Sequence, residues 1–536
     1  MTATTVFTLF EAVARRRGAA PFLHVLDETA AIYGIPSGDL SYGEIHTRAE
    51  GWAGAFRAAG YGPGHRVGLL LQNRPVLVEL FLALNSLGVS IVPLNPDLRR
   101  AELSYQAEHS EMVLAIVLPD RLKEMQAAVS DAGLATRVIT PDMPVPDAVT
   151  PADRAELGSL TECALLYTSG TTGRPKGCIL PNEYFLNSAD WYATTGGHIS
   201  LRPDAERMLT PLPLFHMNAL ASSLMGMIAV GGCLTLLDRF HPRTWWDSVR
   251  NSRATVVHYL GVMPAMLMGA APDATDRDHA VCFGFGAGVD QKLHAAFEDR
   301  FGFPLLEAWA MTETGNGGVI SAHEEPRKIG TSCFGRPTPE VEVRIVDDSG
   351  ADVADEMPGE LLVRRAGADP TYGFAKGYLK NPEATAEAWA GGWFHTGDIV
   401  LRDADGLMHF VDRKKNVIRR SGENIAAVEV EAILNRHPEI AMAAVAAVPD
   451  EIRGDEVAAL IRLEQGAGDA GKATELVAWA LEQMAYYKVP GWVAFVSTLP
   501  LTATQKIQRG ALKDVVSDTM AAGGFHDTRA QKKRQV

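Results

Sequence analysis

The chain has 536 residues, 47% hydrophobic and 21% charged, which is enough apolar material for more than one buried core and excludes a wholly disordered chain. Acidic residues outnumber basic ones by 65 to 50, and the formal charge of −15 repels nucleic acid and anionic membrane over the molecule as a whole. Five cysteines, odd in number, widely spaced and without a CxxC pair, argue against a disulfide framework or zinc site, so a reduced, cytoplasmic location is expected.

In chain order, the first segment, MTATTVFTLFEAVARRRG, lacks the basic-then-apolar order of a signal peptide and reads as a short amphipathic helix. Arg66 to Gln72 is an apolar run of strand length. Asn73 as cap and Pro75 in the first turn then predict a helix, with Leu77, Leu80, Phe81, Leu84 and Leu87 at helical spacing. A further apolar run to Pro93 completes a βαβ unit. Ala219 to Leu237 is uncharged and nearly long enough to span a bilayer, but Ser222, Ser223, Gly226 and the Gly231-Gly232 break predict a buried helix followed by a core strand, so no integral membrane segment is expected. Alternations like the first recur at Thr255 to Met268 and Ala280 to Phe301. Together they predict an α/β fold with a large N-terminal domain, residues 1–413, of parallel-type sheets and flanking helices.

After about Asp412 the texture changes. A basic stretch, a helix from Ala427 to Asn435, strands at Ile440 to Val448 and Glu456 to Leu463, a helix through Gln483 and a strand at Trp492 to Val496 predict a small α+β domain over residues 414–520. Residues 521–536, Gly-rich and then basic, read as a frayed, disordered tail.

The most informative stretch is LLYTSGTTGRPKG, Leu165 to Gly177, where an apolar strand runs into hydroxyls, glycines and one lysine. Thr168, Ser169, Gly170, Thr171, Thr172, Gly173 and Lys176 can surround phosphate oxygens with backbone N–H groups, hydroxyls and an ammonium. A Walker A loop would need Ser or Thr directly after the lysine, and here Gly177 follows Lys176. Gly284-Phe285-Gly286-Ala287-Gly288 follows an apolar strand but is not a complete GxGxxG.

Four further stretches follow in order: Trp309-Ala310-Met311-Thr312-Glu313; Trp393-Phe394-His395-Thr396-Gly397-Asp398; Asp412-Arg413-Lys414-Lys415 running on to Arg419-Arg420-Ser421-Gly422-Glu423-Asn424; and Leu499-Pro500-Leu501-Thr502-Ala503-Thr504-Gln505-Lys506. With the Thr/Gly-rich loop they resemble, over nearly the whole chain, the adenylate-forming superfamily of acyl-CoA synthetases, aryl-CoA ligases, luciferases and adenylation domains. IRRSGENIAAVEVE resembles in particular the ligases of carnitine-type and related acids.

The resemblance implies ATP, Mg2+ and coenzyme A as cofactor and substrates, and activation of a carboxylic acid to an acyl adenylate before transfer to a thiol. It implies that Trp309 stacks on adenine beside a loop of Gly286 and Ala287, that Thr312 contacts phosphate, that Glu313 holds magnesium, and that Asp398 binds both ribose hydroxyls. Arg413 would contact ribose or phosphate, Lys415 would be a hinge before a mobile C-terminal domain, and Arg419, Ser421, Gly422 and Glu423 would serve the thioester step. Lys506 would assist adenylation together with Lys176, although Gln505 replaces the commoner glycine. His216, Gly261, Gly284 and Ala310 would border the acyl pocket; no general-base role is assigned to His216. Ala310 stands where relatives usually have glycine, and its methyl predicts small to medium acids rather than long chains.

Two other classes stay open on these residues: a carboxylate-adenylating enzyme that loads a carrier protein or other acceptor, and a nucleotide-binding protein without catalysis. Lys176, Glu313, Asp398, Arg413 and Lys506 weigh against the last, and no carrier domain accompanies the chain. The expected partners are the acid, ATP and CoA, with a homodimer left open.

Overall fold

The first βαβ unit forms where its apolar runs place it: strands Arg66–Leu70 and Ser90–Pro93 pair in parallel, and helix Pro75–Asn85 connects them. Asn73, however, is not the cap. Arg74 holds that position and no side chain bonds there. Asn73 is buried instead, its Nδ2 donating to the carbonyls of Leu212 and Leu237 at 3.0 Å each while its Oδ1 accepts from the Leu214 amide at 2.8 Å. Asn73 thus serves three buried backbone groups on two chain segments, and satisfying them outweighs one exposed cap bond.

The computed structural model describes residues 3–153, 155–168, 174–413, 417–500 and 507–533, and for Asp412, Arg413 and Val417 the backbone alone. Among the described residues the Arg66–Leu70 strand belongs to a six-stranded sheet in the order Arg137–Ile139, Leu114–Val117, Arg66–Leu70, Ser90–Pro93, Glu162–Thr168, Lys176–Pro181. An eight-stranded sheet runs Ile320–Ser321, Leu305–Trp309, Phe283–Ala287, Val256–Leu260, Arg207–Thr210, Cys233–Leu236, Pro21–Val25, Gly38–Ser41, parallel throughout except at its two edges. Its central strands are buried on both faces, which is why they read as unbroken apolar runs.

Beside these mainly parallel sheets stands a third sheet. Cys333–Gly335, Met408–Arg413, Phe394–Arg402, Gly359–Arg365 and Val341–Val346 are its strands, and the last three run antiparallel in turn. Val341–Val346 keeps a run of half-exposed residues in mid-strand, as strands with one wet face do. The uncharged stretch forms a π-helical turn, Asn218–Ser223, then helix Leu224–Val230 and strand Cys233–Leu236. Among the described residues no helix is long and apolar enough to cross a membrane.

The chain divides into two compact units: Met1–Pro96, Ala107–Leu166 and Gly177–Asp412 form one, and Asp97–Gln106, Tyr167–Lys176 and Arg413–Val536 the other. In the second, strands Ile440–Asp450 and Gly454–Leu463 pair antiparallel, Trp492–Phe495 joins Gly454–Leu463 in parallel, and helices Ala427–Leu434 and Ala470–Gln483 contribute to an apolar core with them. The frayed tail expected from residue 521 is corrected for its described part. Strand His526–Asp527 pairs with Trp492–Phe495, a 3₁₀ turn spans Arg529–Gln531, and the Lys532 side chain is fully buried beside Glu456. Composition signals fraying, but a buried carboxylate supplies the partner that allows a lysine inside.

Candidate active site

The first unit brings two of the singled-out segments into contact. Strand Leu305–Trp309 ends at Trp309, whose indole Nε1 donates to Asp398 Oδ2 at 2.8 Å, both side chains being buried. Asp398 lies within strand Phe394–Arg402, where the register against Gly359–Arg365 shifts between Glu360 and Leu362. That irregularity re-aims a strand residue. It is held by the Thr396 hydroxyl, which donates to the Leu361 carbonyl at 2.6 Å and accepts from the Asp398 amide at 3.0 Å, and by the Gly397 amide on Glu360 Oε1 at 3.1 Å. Trp309 itself packs among Ile320, Phe334, Phe374 and Phe394.

Beyond Trp309 the chain turns tightly. The Met311 amide donates to Thr314 Oγ1 at 3.1 Å and the Gly315 amide to the Met311 carbonyl at 2.9 Å. Tyr184, from helix Asn182–Thr194, donates its hydroxyl to the Thr312 carbonyl at 2.9 Å. A Cβ at Gly315 would lie 2.4 Å from the Tyr184 ring, so the turn closes only over glycine. Glu313 is half-buried and its Oε1 accepts from the Tyr378 hydroxyl at 2.9 Å. Burial, and next the charge of Glu313, push the Tyr378 phenol far above its ordinary value, so it stays a donor. Ala310, Thr312 and Glu313 thus share one braced turn, with Thr312 and Glu313 half-buried rather than locked inside.

The glycine segment is close by in the sheet. Strand Phe283–Ala287 pairs with Leu305–Trp309 and Val256–Leu260. Glu307 reaches back from its own strand to accept from the Val289 amide at 2.7 Å and the Gly288 amide at 3.4 Å, which fixes the loop after Ala287. Burial raises the Glu307 carboxyl. A Cβ on Gly261 would sit 1.6 Å from the Gly288 carbonyl oxygen, and one on Gly286 2.2 Å from that of Tyr259, so both glycines permit close backbone approach. Gly284 faces Leu305, Tyr259 and Phe303, a packing environment within the core.

His216 is half-buried and precedes the π-helical turn. That turn is clamped by His258, whose Nδ1 lies 2.8 Å from both Ser223 Oγ and Asn218 Oδ1 and whose Nε2 lies 2.8 Å from the Tyr192 hydroxyl. Complete burial pushes the His258 imidazole down to about 3, so it is neutral and structural.

In the second unit, Thr168 ends strand Glu162–Thr168 and Lys176 opens strand Lys176–Pro181. Ser169, Gly170, Thr171, Thr172, Gly173, Lys415, Lys506 and the Arg413 side chain lie outside the described residues. Strands Val417–Arg420 and Glu423–Ala426 form a hairpin in which Arg420 opposes Glu423 across Ser421 and Gly422, at φ +51° and +92°. Positive φ at both central positions marks a type I′ turn. Arg419, Ser421 and Gly422 are exposed; the Arg419 amide donates to Asp455 Oδ2 at 2.9 Å and the Ser421 amide to the Arg453 carbonyl at 2.9 Å. Glu307 and Tyr378 were not singled out from the sequence, and Asn73 was singled out only as a helix cap. Their partners lie far along the chain or in other motifs, and only the abundance of polar residues in buried strands and loops hinted at them.

Residues 11–379 match the family model described as AMP-binding enzyme, and residues 429–506 match the AMP-binding enzyme C-terminal domain. The chain belongs to the AMP-binding enzyme family. It is 30% identical over 518 residues to a crotonobetaine/carnitine–CoA ligase of Salmonella arizonae, covering 91% of this chain and 96% of that protein. Among solved structures it resembles o-succinylbenzoate CoA synthetase of Bacillus subtilis bound with a product analogue, with TM-score 0.80, 25% identity and coverage of 94% of this chain and 98% of the other. It also resembles a malonyl-CoA ligase holding methylmalonyl-CoA and AMP, with TM-score 0.73, 27% identity and coverage of 90% and 96%.

Proposed function

We propose that this protein converts a small to medium carboxylic acid, ATP and free CoA to acyl-CoA, AMP and pyrophosphate. It is an AMP-forming acyl-CoA synthetase, an adenylate-forming acid–thiol ligase. The observation that carries the reading is the Trp309–Asp398 hydrogen bond, which joins the Thr-Glu turn to a carboxylate suited to a pair of vicinal hydroxyls.

A carboxylate oxygen attacks the α-phosphorus and the bond to pyrophosphate breaks; the CoA sulfur then attacks the acyl carbon and AMP leaves. In the first step two anions must meet, so cations and N–H groups preorganised around them lower the barrier. Lys176 and the loop Thr168, Ser169, Gly170, Thr171, Thr172 and Gly173 are assigned to the phosphates, Thr312 to the α-phosphate, and Lys506 to the charge shared by carboxylate and phosphate. Asp398 takes the ribose, Arg413 the ribose or phosphate, and the Gly286–Ala287 segment the adenine. Among the described residues no group of three or more His, Cys, Asp or Glu could hold a metal ion. Magnesium bound with nucleotides needs only one or two carboxylates, and Glu313, aimed by Tyr378, fits that demand. The ion would neutralise phosphate charge.

Arg419, Ser421, Gly422 and Glu423 are assigned to the thioester step, with Lys415 as hinge. His216, Gly261, Gly284 and Ala310 are assigned to the acyl pocket. A cytoplasmic location suits these substrates. A panel of carboxylic acids assayed for AMP and thioester with free CoA tests the reading; acceptance only of a carrier-protein thiol would replace it.

A further inference from the structure

The cluster of Arg420, Glu456 and Lys532 next to the Ser421–Gly422 turn is buried charge that the proposed chemistry leaves unused. Arg420, the residue before the turn, is buried and places Nε 2.9 Å from each oxygen of Glu456, itself without exposed surface. Glu456 Oε1 also accepts from the Val457 amide at 2.9 Å and pairs with Lys532 Nζ, whose side chain is fully buried. Burial, and next the Arg420 charge, pull the Lys532 amine down to about 7 against the pull of Glu456, so the set is costly to assemble and needs every member held in place.

The segment that delivers Lys532 is built for that task. Its strand His526–Asp527 pairs with Trp492–Phe495, the Thr528 hydroxyl donates to the Pro490 carbonyl at 2.9 Å, and the Thr528 amide donates to the Gly491 carbonyl at 3.0 Å. Arg529 stacks over Trp492 at 4.3 Å and bonds Asp527 at 2.8 Å. Gly491 leaves the room required: a Cβ there would lie 2.6 Å from the Glu456 carboxyl carbon.

We propose that Lys532 is a positioning residue for the thioester step: the C-terminal strap seats it on Glu456, Glu456 fixes Arg420, and Arg420 holds the Ser421–Gly422 turn in its left-handed conformation. The inference rests on the assignment of that turn to the thioester step. Serine at φ +51° is strained, so the turn needs support from the strands that flank it. Arg420 supplies this from below through Glu456, while its backbone pairs with Glu423 on one side and Gly454 on the other.

The test compares the two half-reactions in the full-length chain, with butyrate and butyryl adenylate as probes. Lys532→Met should slow thioester formation from butyryl adenylate and CoA by about ten- to a hundredfold, the range for a catalytic segment displaced by roughly an ångström, and leave ATP–pyrophosphate exchange unchanged. Loss of both activities by the same factor, or of neither, would overturn the inference. Thr528→Val, which removes only the strap's hydroxyl bond to Pro490, must show the same split at smaller amplitude and serves if Lys532→Met does not fold. Hydrogen exchange gives a substrate-free readout: in either variant the Ser421 amide should exchange faster while amides of helix Ala470–Gln483 do not, and an unchanged Ser421 amide counts against the proposal. Gly422→Val separates the two levels. If it forms thioester at the wild-type rate, the role of the turn falls and the inference with it; if it is slowed and Lys532→Met is not, the inference alone falls.

Discussion

Trp309 holds more than its place in a motif suggests. An indole N–H donating to a buried carboxylate is a charge-assisted bond, worth about 1.5 to 3 kcal/mol when lost. Trp309→Phe keeps the packing among Phe334, Phe374 and Phe394 and deletes only the donor. It should raise KM for ATP on the order of tenfold with a smaller effect on kcat, read by acid-dependent pyrophosphate exchange. An unchanged KM would show that Asp398 needs no orienting. Next to it, Ala310→Gly should extend the accepted chain length, since relief of overpacking by one methyl is worth about 1 to 3 kcal/mol. Efficient turnover of palmitate by the unmodified protein would refute that reading. At this scale the sequence singles out Thr312, Glu313 and Asp398, which stand in named segments, but not the side chains that brace them. Tyr378 and Glu307 carry no local pattern, because a side chain that braces a turn is defined by where the chain brings it.

The strand that carries Trp309 is anchored at its opposite end by ions. Glu298 accepts from Arg327 through both oxygens at 2.7 and 2.9 Å, and from the Leu305 amide at 2.9 Å. Burial alone would raise the Glu298 carboxyl, but hydrogen bonds from Arg327, His294 and Leu305 outweigh it and pull it to about 2, against an ordinary 4.5. A carboxylate with a depressed folded value stabilises above its unfolded value and loses that contribution as pH falls towards the folded one. Thermal stability should therefore decline between about pH 4.5 and 2 partly through this group, and Arg327→Met should cost about 3 kcal/mol at neutral pH and flatten that decline. Urea unfolding at several pH values checks both. Elements buried on both faces were legible as apolar runs: Arg66–Leu70, Val256–Leu260 and Phe283–Ala287 stand near where periodicity put them. The Val341–Val346 and Gly359–Arg365 pair was not, because strands with a wet face dilute the apolar signal. The C-terminal strap was misread for a related reason: Lys532 is inside because of Glu456, a partner that composition cannot show.

For the molecule as a whole, the proposed chemistry divides between Lys506 in adenylation and the Ser421–Gly422 turn in thioester formation. Lys506→Ala should slow adenylation by about 10² to 10³, the usual loss when one preorganised cation or donor is removed, while thioester formation from presynthesised adenylate persists. Equal damage to both steps would end that division. The most direct measurement of the central claim is a single product analysis: the protein with ATP, magnesium, free CoA and a panel of short to medium carboxylic acids, read by mass spectrometry. AMP and acyl-CoA should form in equal amounts, dependent on the acid; ADP and phosphate in place of AMP, or AMP without any acyl-CoA across the panel, would refute the proposed reaction.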